Sequence, residues 1–318
     1  MKEEKRILFG TDDSDFAREA LSEIGVLLKN SKKLNITLFH GASDVEIPSY
    51  YKSICQSSDA DKKFEELLNL ESENVLKRAK EVLIESGIDS NMISTVLEKK
   101  CKDPSGFMLN LANQEGIDTI ALARWGKASV SRQVMGTVPY RLSQMANDQT
   151  LWVIDHRIGS RDILIGLVGA SVSQRVVDYT VRYFSHLRES KFVLFHVIPP
   201  VPPQFWAYER TIDLEDGHEK QQKIVMWLKE YTDKVKEIAD DAKNKFIKAG
   251  VSEQNVLFKI GPQKIGIARD IFMELESGNY GILVMGRRGF KDIKDFGLGS
   301  KANKLLIKCR GYIICLVN

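Results

Sequence analysis

Short apolar runs alternate along this chain with longer stretches in which apolar residues recur at helical spacing. The runs 6–11, 34–40, 92–98, 118–123 and 150–154 predict buried strands in the first half. Between the first two, Phe16, Ala17, Ala20, Leu21, Ile24, Leu27 and Leu28 share one helical face. Ile224, Val225, Leu228, Tyr231, Val235, Ile238 and Ala242 do the same in the second half. Gly87 and Gly250 stand where a helix end calls for a left-handed residue. Short strands between helices predict a parallel sheet covered on both faces. Ligands of such sheets bind beyond the carboxyl ends of the strands.

The pattern is written twice. Ile7-Leu8-Phe9-Gly10 matches Ile163-Leu164-Ile165-Gly166, and Leu38-Phe39-His40 matches Leu194-Phe195-His196, both at an offset of 156. Gly87 with Gly250, Gly126 with Gly289, Gly136 with Gly299 and Thr137 with Ser300 match at 163. A period this long predicts two domains, 1–156 and 157–318, joined near His156 to Arg161. Ser43 to Ala60 and Pro199 to Gly217 break the alternation after the second strand of each copy. They read as lids, partner surfaces or plain surface loops.

The chemistry concentrates in "GRRGFKDIKDFGLGS", residues 286–300. Gly286 ends an apolar run, Gly289 turns the chain, and Gly299 with Ser300 opens a helical segment. Glycine lets backbone amides approach a ligand closely, and the first amides of a helix are unpaired at its positive end. A phosphate is the common occupant of such a place. Ser300 reads as a phosphate contact or a plain N-cap. Arg287, Arg288, Lys291 and Lys294 read as phosphate counter-charges or solvated surface charges. No GxxxxGK[ST] loop occurs. "GLGSKA" at 297–302 fits G-x-G-x-x-A but does not follow a first strand, so it is read as chance. No nucleophile–base triad or carboxylate pair stands out, and Asp292 and Asp295 are the only acids in the glycine stretch. His40 and His196 lie in apolar strand ends and read as buried, satisfied side chains.

G-x2-G-x9-G-[S/T] after the fourth strand of an α/β unit resembles the nucleotide-binding motif of the universal stress protein family. "ILFGTDDS" (7–14) is similar to that family's first strand. The resemblance spans both copies. It implies two doubly wound, parallel five-stranded α/β domains of the adenine nucleotide alpha hydrolase-like fold, arranged as a tandem pseudo-dimer. It also implies that the last strands, near Leu151–Ile154 and Ile313–Val317, pair with each other. The implied ligand is ATP or a related adenine nucleotide, with or without Mg2+. In the second copy the implied binding residues are Val168, Val197, Gly286, Arg287, Arg288, Gly289, Gly299, Ser300 and Lys301. In the first they are Asp12 at the nucleoside, Gly41 at the adenine, and Gly126, Gly136 and Thr137 at the phosphates. The copies have diverged. Ala123 replaces the first motif glycine in the first copy and Trp125 adds bulk, while Val168 stands where Asp12 does. That comparison favours the second copy as the nucleotide site and leaves the first doubtful. The expected role is nucleotide-dependent signalling or stress response without a catalytic residue. Its rivals are a slow ATPase or phosphotransfer enzyme on the same site and an interaction scaffold without nucleotide.

Composition narrows the setting. The chain has 318 residues, 43% hydrophobic and 28% charged, with a net charge of +3, too mild to argue for nucleic acid. No apolar run approaches the roughly 20 residues of a membrane helix. The N-terminus, MKEEKRILFG, lacks a signal-peptide core. The four cysteines show no CxxC spacing, so free thiols in a cytoplasmic protein and no metal site are expected. An unidentified protein partner and further homodimerisation stay open.

Overall fold

The computed structural model describes residues 4–42, 60–127, 134–155, 158–202, 216–288 and 298–318. Most of both irregular stretches, including Cys55 and Trp206, lies outside them, as do Gly289, Lys291, Asp292, Lys294 and Asp295. The chain divides into two compact units. The first comprises Met1–Gly159, Lys294–Leu298 and Cys309–Asn318; the second comprises Ser160–Ile293 and Gly299–Lys308.

In the first unit the elements run β1 (Lys5–Gly10), α1 (Asp15–Leu28), β2 (Leu34–Gly41), α2 (Ala60–Glu85), β3 (Ile93–Glu98), α3 (Pro104–Glu115), β4 (Thr119–Ala123), α4 (Thr137–Met145) and β5 (Thr150–Ile154). Strand order is β3-β2-β1-β4-β5, all parallel, extended by the C-terminal strand β10 (Ile313–Val317) antiparallel to β5. The pairing of the two fifth strands is therefore as expected, and it places β10 in the first unit. The central strands are apolar throughout because helices cover both faces; Ile7, Leu8 and Phe9 are wholly buried. Helix α1 packs on α2, and α3 packs on α4. Strand order reverses at β1, which has β2 on one side and β4 on the other. That switch point opens a crevice at the carboxyl edge.

The second unit repeats the plan with β6 (Ile163–Gly166), α5 (Ala170–Phe184), β7 (Phe192–Ile198), α6 (Asp216–Lys248), β8 (Val256–Pro262), α7 (Ile267–Ser277), β9 (Ile282–Gly286) and α8 (Ser300–Lys308). Its strands are ordered β9-β6-β7-β8 and are parallel. Gly87 and Gly250 close the long helices at φ +99 and +91, a region strained for any side chain. No helix among the described residues is long and apolar enough to cross a membrane.

Candidate functional site

The first unit encloses a cavity of about 450 Å³ at the carboxyl edge of its sheet. Five chain segments build most of it: the turn after β1, the end of β2, the start of α3, the turn after β4 and the start of α4. Asp12, Gly41, Gly126, Gly136 and Thr137 all line it, so the structure brings the five first-copy residues together. The walls are mostly apolar: Phe39, Met108, Leu122, Trp125, Val138 and Pro139 contribute. Sequence reasoning placed Trp125 in the turn but missed the other walls, although each lies at a strand end or on a helix that the topology turns toward the switch point.

Asp12 holds the floor in place. Its Oδ1 accepts the Ser14 N–H at 3.0 Å, and its Oδ2 accepts the Lys127 N–H at 2.6 Å. Oδ2 lies 2.4 Å from where a Cβ on Gly126 would stand, so a side chain there would have to displace the carboxylate. Asp13, the next residue, sits at φ +59. Burial pushes its carboxyl up, but hydrogen bonds from Arg78 and Arg18 outweigh that and hold it below the usual carboxylate range. Those two arginines fix the turn from outside, with Arg78 Nη2 at 2.7 Å and Arg18 Nη1 at 3.0 Å.

The glycine turns close alike in both units. Gly136 N–H donates to Arg124 O at 2.9 Å, and Gly299 N–H donates to Arg287 O at 3.1 Å. The strand-end histidines also match. His40 Nδ1 lies 2.8 Å from Thr11 O, and His196 Nδ1 lies 3.0 Å from Leu167 O. A carbonyl only accepts, so each Nδ1 carries the proton.

The second unit places its candidate residues differently. Gly286 ends β9, Arg288 is half-buried beside it, and Ser300 and Lys301 are exposed at the start of α8. Val168 occupies the Asp12 position, but its turn is closed internally. Ser173 Oγ accepts the Val168 N–H at 2.9 Å and lies 2.7 Å from Val168 O. Val197 is buried in β7, paired with Gly261. Arg287 is buried, and its guanidinium has no hydrogen-bond partner among the described residues. Burial and the neighbouring Arg288 bring its pKa down to about 10. Its first-copy counterpart, Arg124, is buried against Asp155 at 3.4 Å and donates to Cys309 O at 2.6 Å. Gly289 lies outside the described residues.

His196 Nε2 accepts from the Tyr231 hydroxyl at 3.0 Å. Burial holds its imidazole below the usual value, with Lys301 acting in the same direction against the raising effect of the Leu167 bond. The folded protein thus binds this proton more weakly than the unfolded chain, whose histidine titrates near about 6.5. Stability contributed here is full above that pH and is lost as pH falls from there through the lower folded pKa. Denaturation midpoints measured from pH 7.5 to 5 should fall, and Tyr231→Phe, which leaves Nε2 without its donor, should flatten the fall. An equal slope in the variant would show that other groups set it.

Among the described residues, no group of three or more His, Cys, Asp or Glu side chains is placed to hold a metal. No protein-family model matches the sequence, and no curated protein matches it. Solved structures do. A universal stress protein from Archaeoglobus fulgidus DSM 4304 aligns over 98% of both chains with a TM-score of 0.62 at 15% identity. A protein of unknown function from Pseudomonas aeruginosa PAO1 aligns over 98% of this chain and 92% of its own, with a TM-score of 0.55 at 11% identity. A putative universal stress protein from Pseudomonas aeruginosa UCBPP-PA14 gives 0.53 over the same shares, also at 11%. Over nearly its whole length, then, this chain has the fold of the universal stress proteins.

Proposed function

We propose that this chain binds an adenine nucleotide and acts in signalling or stress response through the bound state rather than through turnover. One observation carries the reading: Asp12, Gly41, Gly126, Gly136 and Thr137, from four separate segments, line a single cavity at the switch point of the first unit. The lining suits the adenosine end of such a ligand. Phe39, Met108 and Leu122 offer apolar walls to a base. Asp12 offers carboxylate lone pairs to sugar hydroxyls, and Thr137 adds a hydroxyl. A triphosphate is assigned to a separate site within the second copy, whose Gly286, Arg288, Gly299, Ser300 and Lys301 are the candidates for its phosphates.

The lining of the first unit supports binding there without turnover. Asp12 is its only carboxylate, and both its oxygens already accept backbone N–H groups. A general base must instead reach a substrate proton. Small molecules released by denaturing the freshly purified protein should include an adenine compound on mass spectrometry. Calorimetry should show ATP binding that is abolished by Gly299→Val. Sustained phosphate release would favour the enzyme reading, and no binding of any adenine compound would favour the scaffold.

A further inference from the structure

Resting on the reading of the first-unit cavity as a nucleoside site, we infer that this cavity takes a nucleoside without a phosphate chain and discriminates against nucleoside triphosphates. Three features of the cavity converge on this. Its described lining contains one ionisable side chain, Asp12, and no lysine, arginine or histidine. A triphosphate brings several negative charges, and an uncompensated buried charge is costly.

The backbone amide best placed to meet a phosphate is also taken. The Lys127 N–H, in the glycine turn, already donates to Asp12 Oδ2 at 2.6 Å. A phosphate could reach that amide only by displacing a carboxylate of its own sign. At the start of α4, the Gly136 N–H is spent on Arg124 O and Pro139 has no N–H. Thr137 and Val138 are left to present amides at the positive helix end. They suit a hydroxyl or a single anion, not a chain of three phosphates.

Among the described residues, four arginines near the cavity in sequence or space are committed elsewhere. Arg18 and Arg78 hold Asp13. Arg124 turns to Asp155 and Cys309 O. Arg141 pairs with Asp103 at 2.9 Å. Trp125, buried against Phe16 with ring centroids 5.5 Å apart, fills part of the turn with an apolar ring. What remains in the described lining is apolar walls, one carboxylate and the hydroxyls of Thr11 and Thr137. That chemistry recognises a flat base carrying a sugar with free hydroxyls.

The test is calorimetry on the intact chain with adenosine and with ATP, repeated in Gly126→Val, Met108→Trp and Asp12→Asn. Gly126→Val drives Asp12 from its place, and Met108→Trp fills the cavity from α3. Each variant's fold is checked by circular dichroism. Adenosine should bind at a site sensitive to both cavity variants, at least about tenfold more tightly than ATP binds there. Asp12→Asn should narrow that ratio by removing the like charge. ATP binding at the Gly126- and Met108-sensitive site more tightly than adenosine would overturn the inference while leaving the cavity a nucleotide site. Adenosine and ATP titrations both indifferent to the two cavity variants would overturn the nucleoside-site reading itself.

Discussion

Arg124→Met should lower the unfolding free energy by about 3–5 kcal/mol, whereas Arg287→Met should leave it unchanged or raise it. The two arginines occupy equivalent places in the repeat, 163 residues apart, and both are buried. Among the described residues, only Arg124 of the two is paired with a carboxylate. Asp155, whose side chain is wholly buried, lies 3.4 Å from Arg124 Nε and also accepts the Gly311 N–H at 2.7 Å. Removing Arg124 leaves that buried charge without its guanidinium, the costly way to break such a pair. The residue at the Asp155 position of the second copy is Asn318, which brings no side-chain charge. Among the described residues, Arg287 Nε, Nη1 and Nη2 have no hydrogen-bond partner, so a neutral side chain of similar length removes a desolvation cost and breaks no bond seen there. At roughly 2–4 °C per kcal/mol for a domain of this size, the Arg124 variant should melt on the order of 10 °C lower. Urea titration and calorimetry of both variants decide it. Comparable losses at the two sites would mean that Arg287 has a counter-charge.

Much of this architecture was legible because it is written in period and offset. Each predicted strand run became a strand; the signal is clearest in β4 and β5, which are buried along their whole length. The offset of 163 placed Gly136 and Gly299 at matching helix starts, and the structure gives both the same closing hydrogen bond. The site was legible as a set of positions but not as chemistry. That Asp12 is held by the Lys127 N–H depends on a turn whose geometry no spacing encodes. The walls Phe39, Met108 and Leu122 are ordinary core residues by composition, and only the strand order turns them toward one crevice. The Arg124–Asp155 pair could have been found: the arginine repeats at 163 while the aspartate becomes Asn318, a change visible in the sequence alone.

Gly286→Ala should destabilise the protein by about 1–3 kcal/mol with no ligand present, the usual cost of forcing a methyl into a packed core. Read from sequence, this glycine leaves space for a phosphate, and Ala123 in its place marks a decayed first copy. The structure supplies a different reason. A Cβ at Gly286 would overlap Val172 Cγ1 of α5 and come within 3.1 Å of Arg288 O. The helix–strand packing of the second unit therefore requires the glycine whatever binds nearby. In the first copy Ala123 is itself a buried strand end, so its methyl is already accommodated. The two explanations part in the ligand-free protein. A glycine kept only for phosphate access would tolerate alanine there, losing affinity but not stability. A packing glycine loses stability first, and the loss must run through Val172. The double variant Gly286→Ala/Val172→Ala should then be less destabilised than the sum of the two single changes, by an interaction energy of about 0.5–3 kcal/mol. Additive losses would detach Gly286 from Val172. An unchanged midpoint in Gly286→Ala with weakened ATP binding would return this glycine to the phosphate.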